Sequence, residues 1–148
     1  METEESPKEF KENSHAVQSH LTIIQSVIQR MAINSASVKA WCIALVSALL
    51  VVIADKNKPD LVYIGLLPTI LFFALDTYYL AHEKGIRASY NRFIKKLHSG
   101  KIEADDLFVV APSGSMKAHI WASITSFSIL PFYLGIVLML LMARCMAL

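Results

Sequence analysis

The sequence lacks the short motifs by which most enzymes are recognised. It contains no nucleophile elbow, no phosphate-binding glycine loop and no HExxH or CxxC motif. Only two cysteines are present, Cys42 and Cys145, and both lie in apolar surroundings without the spacing of a metal or redox site. The five histidines also lack ligand spacing, and we expect most of them to be solvated. These absences predict a protein that is not an enzyme and binds neither a metal nor a cofactor.

Charged residues are scarce as well, at 18% of the 148 residues, whereas hydrophobic residues make up 55%. So apolar a composition is unusual for a soluble domain of this length. The net charge of +2 is too small to indicate a nucleic-acid partner. The opening METEESPKEFKEN is acidic and has no apolar run behind a basic start, so we expect no secretory signal peptide. We interpret residues 1–13 as a disordered acidic tail.

Three long apolar runs with almost no charge cover residues 36–54, 61–81 and 118–143. About 20 apolar residues cross the hydrocarbon core of a bilayer. The prolines inside the second and third runs are compatible with membrane helices, because neighbouring groups satisfy the freed carbonyls. A soluble helical bundle is the alternative, but its surface would need more polar residues than this sequence contains. The runs therefore predict an all-α integral membrane protein with three transmembrane helices, of which the first two form a hairpin through the turn DKNKPD.

Most of the 14 lysines and arginines precede the first run or lie between the second and third. Lysine and arginine concentrate on the cytoplasmic side of membrane proteins. This distribution predicts that the N-terminus lies in the cytoplasm and that the hairpin turn and the C-terminus lie outside.

Residues 14–35 have the pattern of an amphipathic cytoplasmic helix. Its apolar residues recur at intervals of four and three and form a heptad seam, made by Val17, Leu21, Ile24, Ile28 and Met31. The seam requires an apolar partner, which is either the helix that follows the second span, the membrane surface or a second subunit.

Residues 82–99 continue the second span as a basic amphipathic helix, with an expected end at Gly100. Three interpretations of its basic residues remain open: enforcing topology, contacting anionic lipid headgroups, or binding an anionic ligand such as a nucleotide. The residues concerned are Lys84, Arg87, Arg92, Lys95 and Lys96. Residues 100–117 form a linker, in which LFVVAP is either a short strand or an extended segment.

Asp76 is the acidic residue within the second apolar run, and it lies near the expected level of Lys39 on the antiparallel first span. The two side chains pair between the helices, or Asp76 is exposed to headgroup water, or Asp76 belongs to a polar ring at the mouth of an oligomeric pore. The first half of the third run carries hydroxyl groups that favour close helix packing or line a narrow polar path. These hydroxyls belong to Ser123, Thr125, Ser126 and Ser128.

Residues 48–93 combine a short span, a D-x-x-x-P turn, a proline-bearing span and an LDxYYL…E…R…Y helix. The residues of this last pattern are Leu75, Asp76, Tyr78, Tyr79, Leu80, Glu83, Arg87 and Tyr90. The combination resembles a recurring type of small bacterial membrane protein and is similar to the SLATT-like effectors of bacterial anti-phage defence. The resemblance implies a protein that permeabilises the inner membrane when a sensor is triggered.

We therefore expect an oligomeric, pore-forming effector that perturbs or permeabilises the bacterial inner membrane in antiviral defence. Its partners would be the lipid bilayer, further copies of the chain and a cytoplasmic protein or nucleotide signal that gates it. No nucleic-acid partner is expected. The alternative is a non-conducting membrane anchor or adaptor whose cytoplasmic helices dock a soluble enzyme.

Overall fold

The computed structural model describes residues 11–56 and 58–146. This part of the chain forms four α-helices and two short 3-10 turns, and it contains no β-strand. The helices are α1 (His15–Lys56), α2 (Val62–His98), α3 (Met116–Ile124) and α4 (Leu130–Met146), and the 3-10 turns are Pro59–Leu61 and Ala104–Asp106. The all-helical fold class is confirmed. The expected disorder of residues 1–13 falls mostly outside the described residues.

The amphipathic segment 14–35 and the first span 36–54 are one helix, α1, of 42 residues. The sequence from His15 to Lys56 contains neither glycine nor proline, so nothing in the backbone interrupts its hydrogen bonds. The surface of α1 therefore changes from polar to apolar near residue 36 without a helix boundary at that point.

Helix α2 is likewise continuous from the second span into the basic segment. It ends in a Schellman motif, in which Gly100 has a φ of +65° and the amide of Lys101 donates to the carbonyl of Lys96 at 3.0 Å. A side chain at a positive φ is disfavoured, which is why glycine stands here. The stop at Gly100 is confirmed.

Helices α1 and α2 pack side by side as an antiparallel hairpin. At 1.5 Å per residue they are about 63 and 55 Å long, which is roughly twice the 30 Å thickness of a hydrocarbon core. Each is long and apolar enough to cross a membrane. In their most apolar stretches only 22% and 28% of the residues are buried, whereas a core helix of a soluble protein would be mostly buried.

The third apolar run is not one helix, because the chain breaks between α3 and α4 at residues 125–129. Pro131 is the second residue of α4, where its missing amide costs no helical hydrogen bond. Thr125 donates its hydroxyl to the carbonyl of Trp121 at 3.1 Å, as Ser and Thr side chains do where they compete with the backbone. Helix α4 has 17 residues, fewer than the 20 or so of a typical span. Two helices of spanning length are thus present, and a third is not established.

Both pieces of the third run pack along α2, and α4 also contacts α1. Near the hairpin turn, Arg144 of α4 donates a hydrogen bond to the hydroxyl of Tyr63. At the other end, α2 ends at His98 and α3 begins at Met116, so the segment predicted as a linker over residues 100–117 is residues 99–115 in the structure. This linker lies against α2. The amide of Ser113 donates to the carbonyl of Gly85 at 2.9 Å, and a Cβ at Gly85 would stand 2.8 Å from the Cβ of Pro112. Gly85 therefore allows the linker to approach the helix backbone.

The hairpin has an apolar cluster towards each end. The cluster near the turn joins α1, α2 and α4, and it consists of Cys42, Val46, Ile53, Val62, Ile129, Tyr133, Ile136 and Leu140. The cluster at the other end joins α1, α2 and the linker, and it consists of Val17, Phe93, Leu97 and Leu107. The LFVVAP segment forms no strand, and only Leu107 of it belongs to this cluster.

Candidate functional site

Asp76 is fully buried between the helices, with 0% of its surface exposed. Ser35 donates its hydroxyl to Oδ1 of Asp76 at 2.5 Å, and Nζ of Lys39 lies 2.6 Å from Oδ2. Ser35 and Lys39 are one turn apart on α1, so both face the same point on α2. Lys39 also donates to the Ser35 hydroxyl at 3.1 Å. The structure thus brings the two predicted residues, Lys39 and Asp76, into one ion pair.

The burial of this pair is uneven. The side chain of Lys39 keeps 18% of its surface exposed, whereas that of Asp76 keeps none. A buried carboxylate is costly unless it is paired and hydrogen-bonded. Asp76 therefore depends on Lys39 more than Lys39 depends on Asp76, because the ammonium can extend towards water along its aliphatic stem.

Other buried polar atoms lie on the elements that surround the pair. Thr77 Oγ1, Ser126 Oγ and Tyr133 OH make no hydrogen bond with any described residue, and Asp76 Oδ2 meets Lys39 only as an ion pair. Buried polar groups are nearly always hydrogen-bonded in native structures. We call these three residues, together with Ser35, Lys39 and Asp76, the polar centre.

The hydroxyl residues of the third run do not form one polar face. Ser123 is buried and donates to the carbonyl of His119 at 2.8 Å, and Ser126 is partly buried. Thr125 and Ser128 are exposed. Of the four predicted residues, only Ser126 presents a buried hydroxyl without a partner in the described chain.

The heptad seam of α1 faces the protein's own α2 and linker. Val17 and Ile24 are buried, whereas Leu21, Ile28 and Met31 are partly buried. Val17 packs in the cluster with Phe93 and Leu97 of α2. The seam therefore has a partner within the chain.

His20 was missed by the sequence reasoning, and the expectation of a solvated side chain is wrong for it. Only 1% of its surface is exposed, and its ring lies 4.3 Å from the ring of Phe93. Its Nδ1 accepts a hydrogen bond from the amide of Phe108 at 2.9 Å. Phe108 has a φ of +63°, a strained conformation for a residue other than glycine. His20 lies on the buried stripe of α1 between Val17 and Ile24, and this spacing is the feature of the sequence that could have predicted its burial.

Protonation of His20 should loosen the linker. Burial lowers the pKa of the imidazole below its ordinary value of 6.5, and the Asp106 carboxylate offsets part of that effect. The unfolded chain therefore binds a proton at a higher pH than the folded chain does, so stability falls as the pH drops below 6.5. Protonated Nδ1 can no longer accept the Phe108 amide. We expect the hydrogen-exchange protection factor of that amide, corrected for the intrinsic pH dependence, to fall in this range.

The matched variants are His20→Asn and His15→Gln, because His15 is an exposed histidine of the same helix. His20→Asn should abolish the pH dependence of the protection factor, and His15→Gln should leave it unchanged. A profile that His20→Asn does not alter would show that another group controls the linker.

Three of the five predicted basic contact residues bind within the chain. Lys84 donates to the carbonyl of Ala122 at 2.5 Å, and Arg87 donates to Glu83 at 2.8 Å. Lys96 binds both carboxylate oxygens of Asp106, at 2.7 and 3.0 Å, and this hydrogen bonding lowers the pKa of Asp106. The other two, Arg92 and Lys95, are exposed and make no ion pair with a described residue. These two remain free to meet an external anion.

Comparison with protein-family models, with curated proteins and with solved structures gives no match. Residues 11–56 and 58–146 contain no group of three or more His, Cys, Asp or Glu side chains that could hold a metal ion.

Proposed function

We propose that the chain is an oligomeric effector of the bacterial inner membrane that perturbs or permeabilises the bilayer under the control of a cytoplasmic signal or partner. The apolar surface of the hairpin supports a membrane location. Large hydrophobic side chains such as Val51, Leu67 and Ile70 are more than half exposed. A contiguous apolar surface of this kind requires lipid or a neighbouring subunit to cover it.

The polar centre is the observation that carries the permeabilising role. Asp76 lies within the second apolar run, about 7.5 Å along α2 from the end of that run at Ala81. Ionisable side chains within a membrane-spanning segment are expensive and usually serve ion or substrate pathways. A simple anchor needs only apolar residues there. The break between α3 and α4 adds irregular backbone, which membrane proteins tolerate where it is buried in protein or lines a water-filled cavity.

The described conformation corresponds in this proposal to a closed state. The ion pair holds α1 against α2, and the hydroxyls of Thr77, Ser126 and Tyr133 lack partners. If the helices separated, water would satisfy these hydroxyls and solvate both charges. The polar centre would then line a hydrated path, and the state of the Lys39–Asp76 pair would decide whether that path opens.

The role in anti-phage defence rests on the resemblance of residues 48–93 to SLATT-like effectors.

A non-conducting anchor or adaptor is the second candidate, and one observation favours it. Asp76 is fully buried and paired within its own chain, so it does not present an acidic ring at a pore mouth.

Leakage from vesicles separates the two candidates. The purified chain is reconstituted into dye-loaded vesicles of bacterial lipids, and release is compared with that from the double variant Lys39→Gln with Asp76→Asn. Neutralising both partners removes the attraction that favours the closed state without leaving an unpaired charge. We expect slow release from the wild type and release about tenfold faster from the double variant, which corresponds to about 1.4 kcal/mol.

Lys58→Gln is the control, because Lys58 is an exposed residue of the hairpin turn. It should release dye at the wild-type rate. Absence of release from all three proteins, with incorporation verified, would reject the effector and leave the anchor.

A further inference from the structure

We infer that a cleft beneath the linker is a binding site for a small soluble oxyanion, a phosphate or carboxylate. The cleft has a volume of about 220 Å³ and lies between α1, α2 and the linker. Its polar lining consists of His20 from α1, of Ser89, Arg92 and Lys96 from α2, and of Asp105, Asp106 and Ser113 from the linker. This site is separate from the polar centre, and its binding activity does not depend on membrane permeabilisation.

The hydrogen bond from Phe108 fixes the tautomer of His20. Because Nδ1 accepts the Phe108 amide, the proton of the neutral ring is on Nε2. Nε2 is then a donor on a side chain that is 99% buried, since 1% of its surface is exposed. No described residue accepts its proton. His20 lines the cleft, so a ligand or a water molecule in the cleft can accept the proton of Nε2.

Two cations, Arg92 and Lys96, and two carboxylates, Asp105 and Asp106, line the cleft, so anion binding depends on Arg92, the cation without an acidic partner. The Arg92 guanidinium is exposed and has no acidic partner among the described residues, and guanidinium geometry matches phosphate and carboxylate oxygens. Lys96 and Asp106 neutralise each other through two hydrogen bonds. Asp105 also lines the cleft and is exposed, as Arg92 is, so solvent and salt screen its repulsion and the attraction of Arg92 alike.

Hydroxyl donors lie on two different elements of the site. Ser89 belongs to α2 and Ser113 to the linker, and neither hydroxyl makes a hydrogen bond within the described chain. Together with the imidazole and the guanidinium they supply neutral and charged donors from several directions. This mixture suits the several acceptor oxygens of one small oxyanion.

The position of the cleft argues for a soluble anion over a lipid headgroup. Arg92 lies about 16 Å along α2 beyond Ala81, the end of the second apolar run. The headgroup layer on each side of a bilayer is only about 5–8 Å thick. Under the proposed membrane placement, the cleft therefore stands in the aqueous phase.

An anion bound here would connect the linker to both long helices. His20 is on α1, Arg92 is on α2, and Ser113 lies three residues before the start of α3. Occupancy would therefore stabilise the docked linker and, through it, the position of α3. A cytoplasmic signal that binds in this cleft would thereby act on the position of α3.

Isothermal titration of the full chain in detergent with inorganic phosphate, and separately with succinate, tests the site. We expect saturable binding of at least one of them and a weakening of about tenfold or more in Arg92→Gln, since a charge-assisted hydrogen bond contributes about 1.5–3 kcal/mol. Lys95→Gln is the matched control, because Lys95 is an exposed cation of the same helix that does not line the cleft. It should bind as the wild type does.

A second measurement uses the wild type alone and therefore does not depend on the folding of the variants. In the wild type the ¹⁵N resonance of His20 Nε2 should shift on saturation with phosphate, and that of His98 should not. Absence of saturable binding, an equal loss in Arg92→Gln and Lys95→Gln, or an unmoved Nε2 resonance would each overturn the inference. So would competition by vesicles of anionic lipid that depends on Arg92, because the ligand would then be a headgroup.

Discussion

Replacing Lys39 with methionine should destabilise the protein by about 3–5 kcal/mol, because it leaves a fully buried carboxylate without its counter-ion. Asp76→Asn should cost clearly less. An asparagine can still accept the hydrogen bond from Ser35, and the ammonium of Lys39, which is 18% exposed, can reach water. Unfolding in detergent, followed by circular dichroism, measures this difference.

Exchanging the two charges supplies the test of direct pairing. Lys39→Asp or Asp76→Lys alone should unfold the hairpin or lower its stability severely, because each places two like charges together. The double variant Lys39→Asp with Asp76→Lys should recover much of the loss, since an opposite pair is restored. Equal cost for Lys39→Met and Asp76→Asn, or no recovery in the exchange, would contradict the described pair.

Ile24→Asp should cost several kcal/mol and weaken the docking of α1 on α2. Ile24 is 1% exposed, and an aspartate there would be a buried charge without a partner. Gln25→Asp is the control, because Gln25 is exposed on the next position of the same helix and substitutions at such sites usually change stability by less than about 0.5 kcal/mol. Leu21→Asp and Ile28→Asp should fall between them, since both residues are partly buried.

Denaturant unfolding of the four variants in one detergent gives the ranking. Equal tolerance of Ile24→Asp and Gln25→Asp would show that the seam does not hold α1 on the rest of the chain.

The sequence carried enough information for the features that depend on local chemistry. The apolar runs predicted helices, and Gly100 predicted the end of α2, because only glycine suits the positive φ of that motif. The levels of Lys39 and Asp76 followed from antiparallel runs joined by a short polar turn. Each of these inferences needed only residue spacing and helix geometry.

Features that depend on long-range contacts were not predictable in the same way. His20 accepts a hydrogen bond from the amide of Phe108, which is 88 residues away in the sequence. Phe108 has a left-handed backbone conformation, which a phenylalanine in the sequence does not predict. The continuity of α1 was missed because a change of polarity does not break backbone hydrogen bonds. The break before α4 was missed because serine and threonine occur in membrane helices as well as in turns.

The central claim is that the hairpin crosses a membrane, with its turn on one side and the basic end of α2 on the other. Thiol labelling in sealed, right-side-out bacterial membrane vesicles tests this most directly. Cys42 and Cys145 are replaced by alanine, and a single cysteine is introduced by Lys58→Cys in the turn or by Lys95→Cys near the other end. A membrane-impermeant maleimide should label Lys58→Cys in intact vesicles and Lys95→Cys only after permeabilisation. Labelling of both positions in intact vesicles, or of neither before permeabilisation, would contradict a membrane-spanning hairpin.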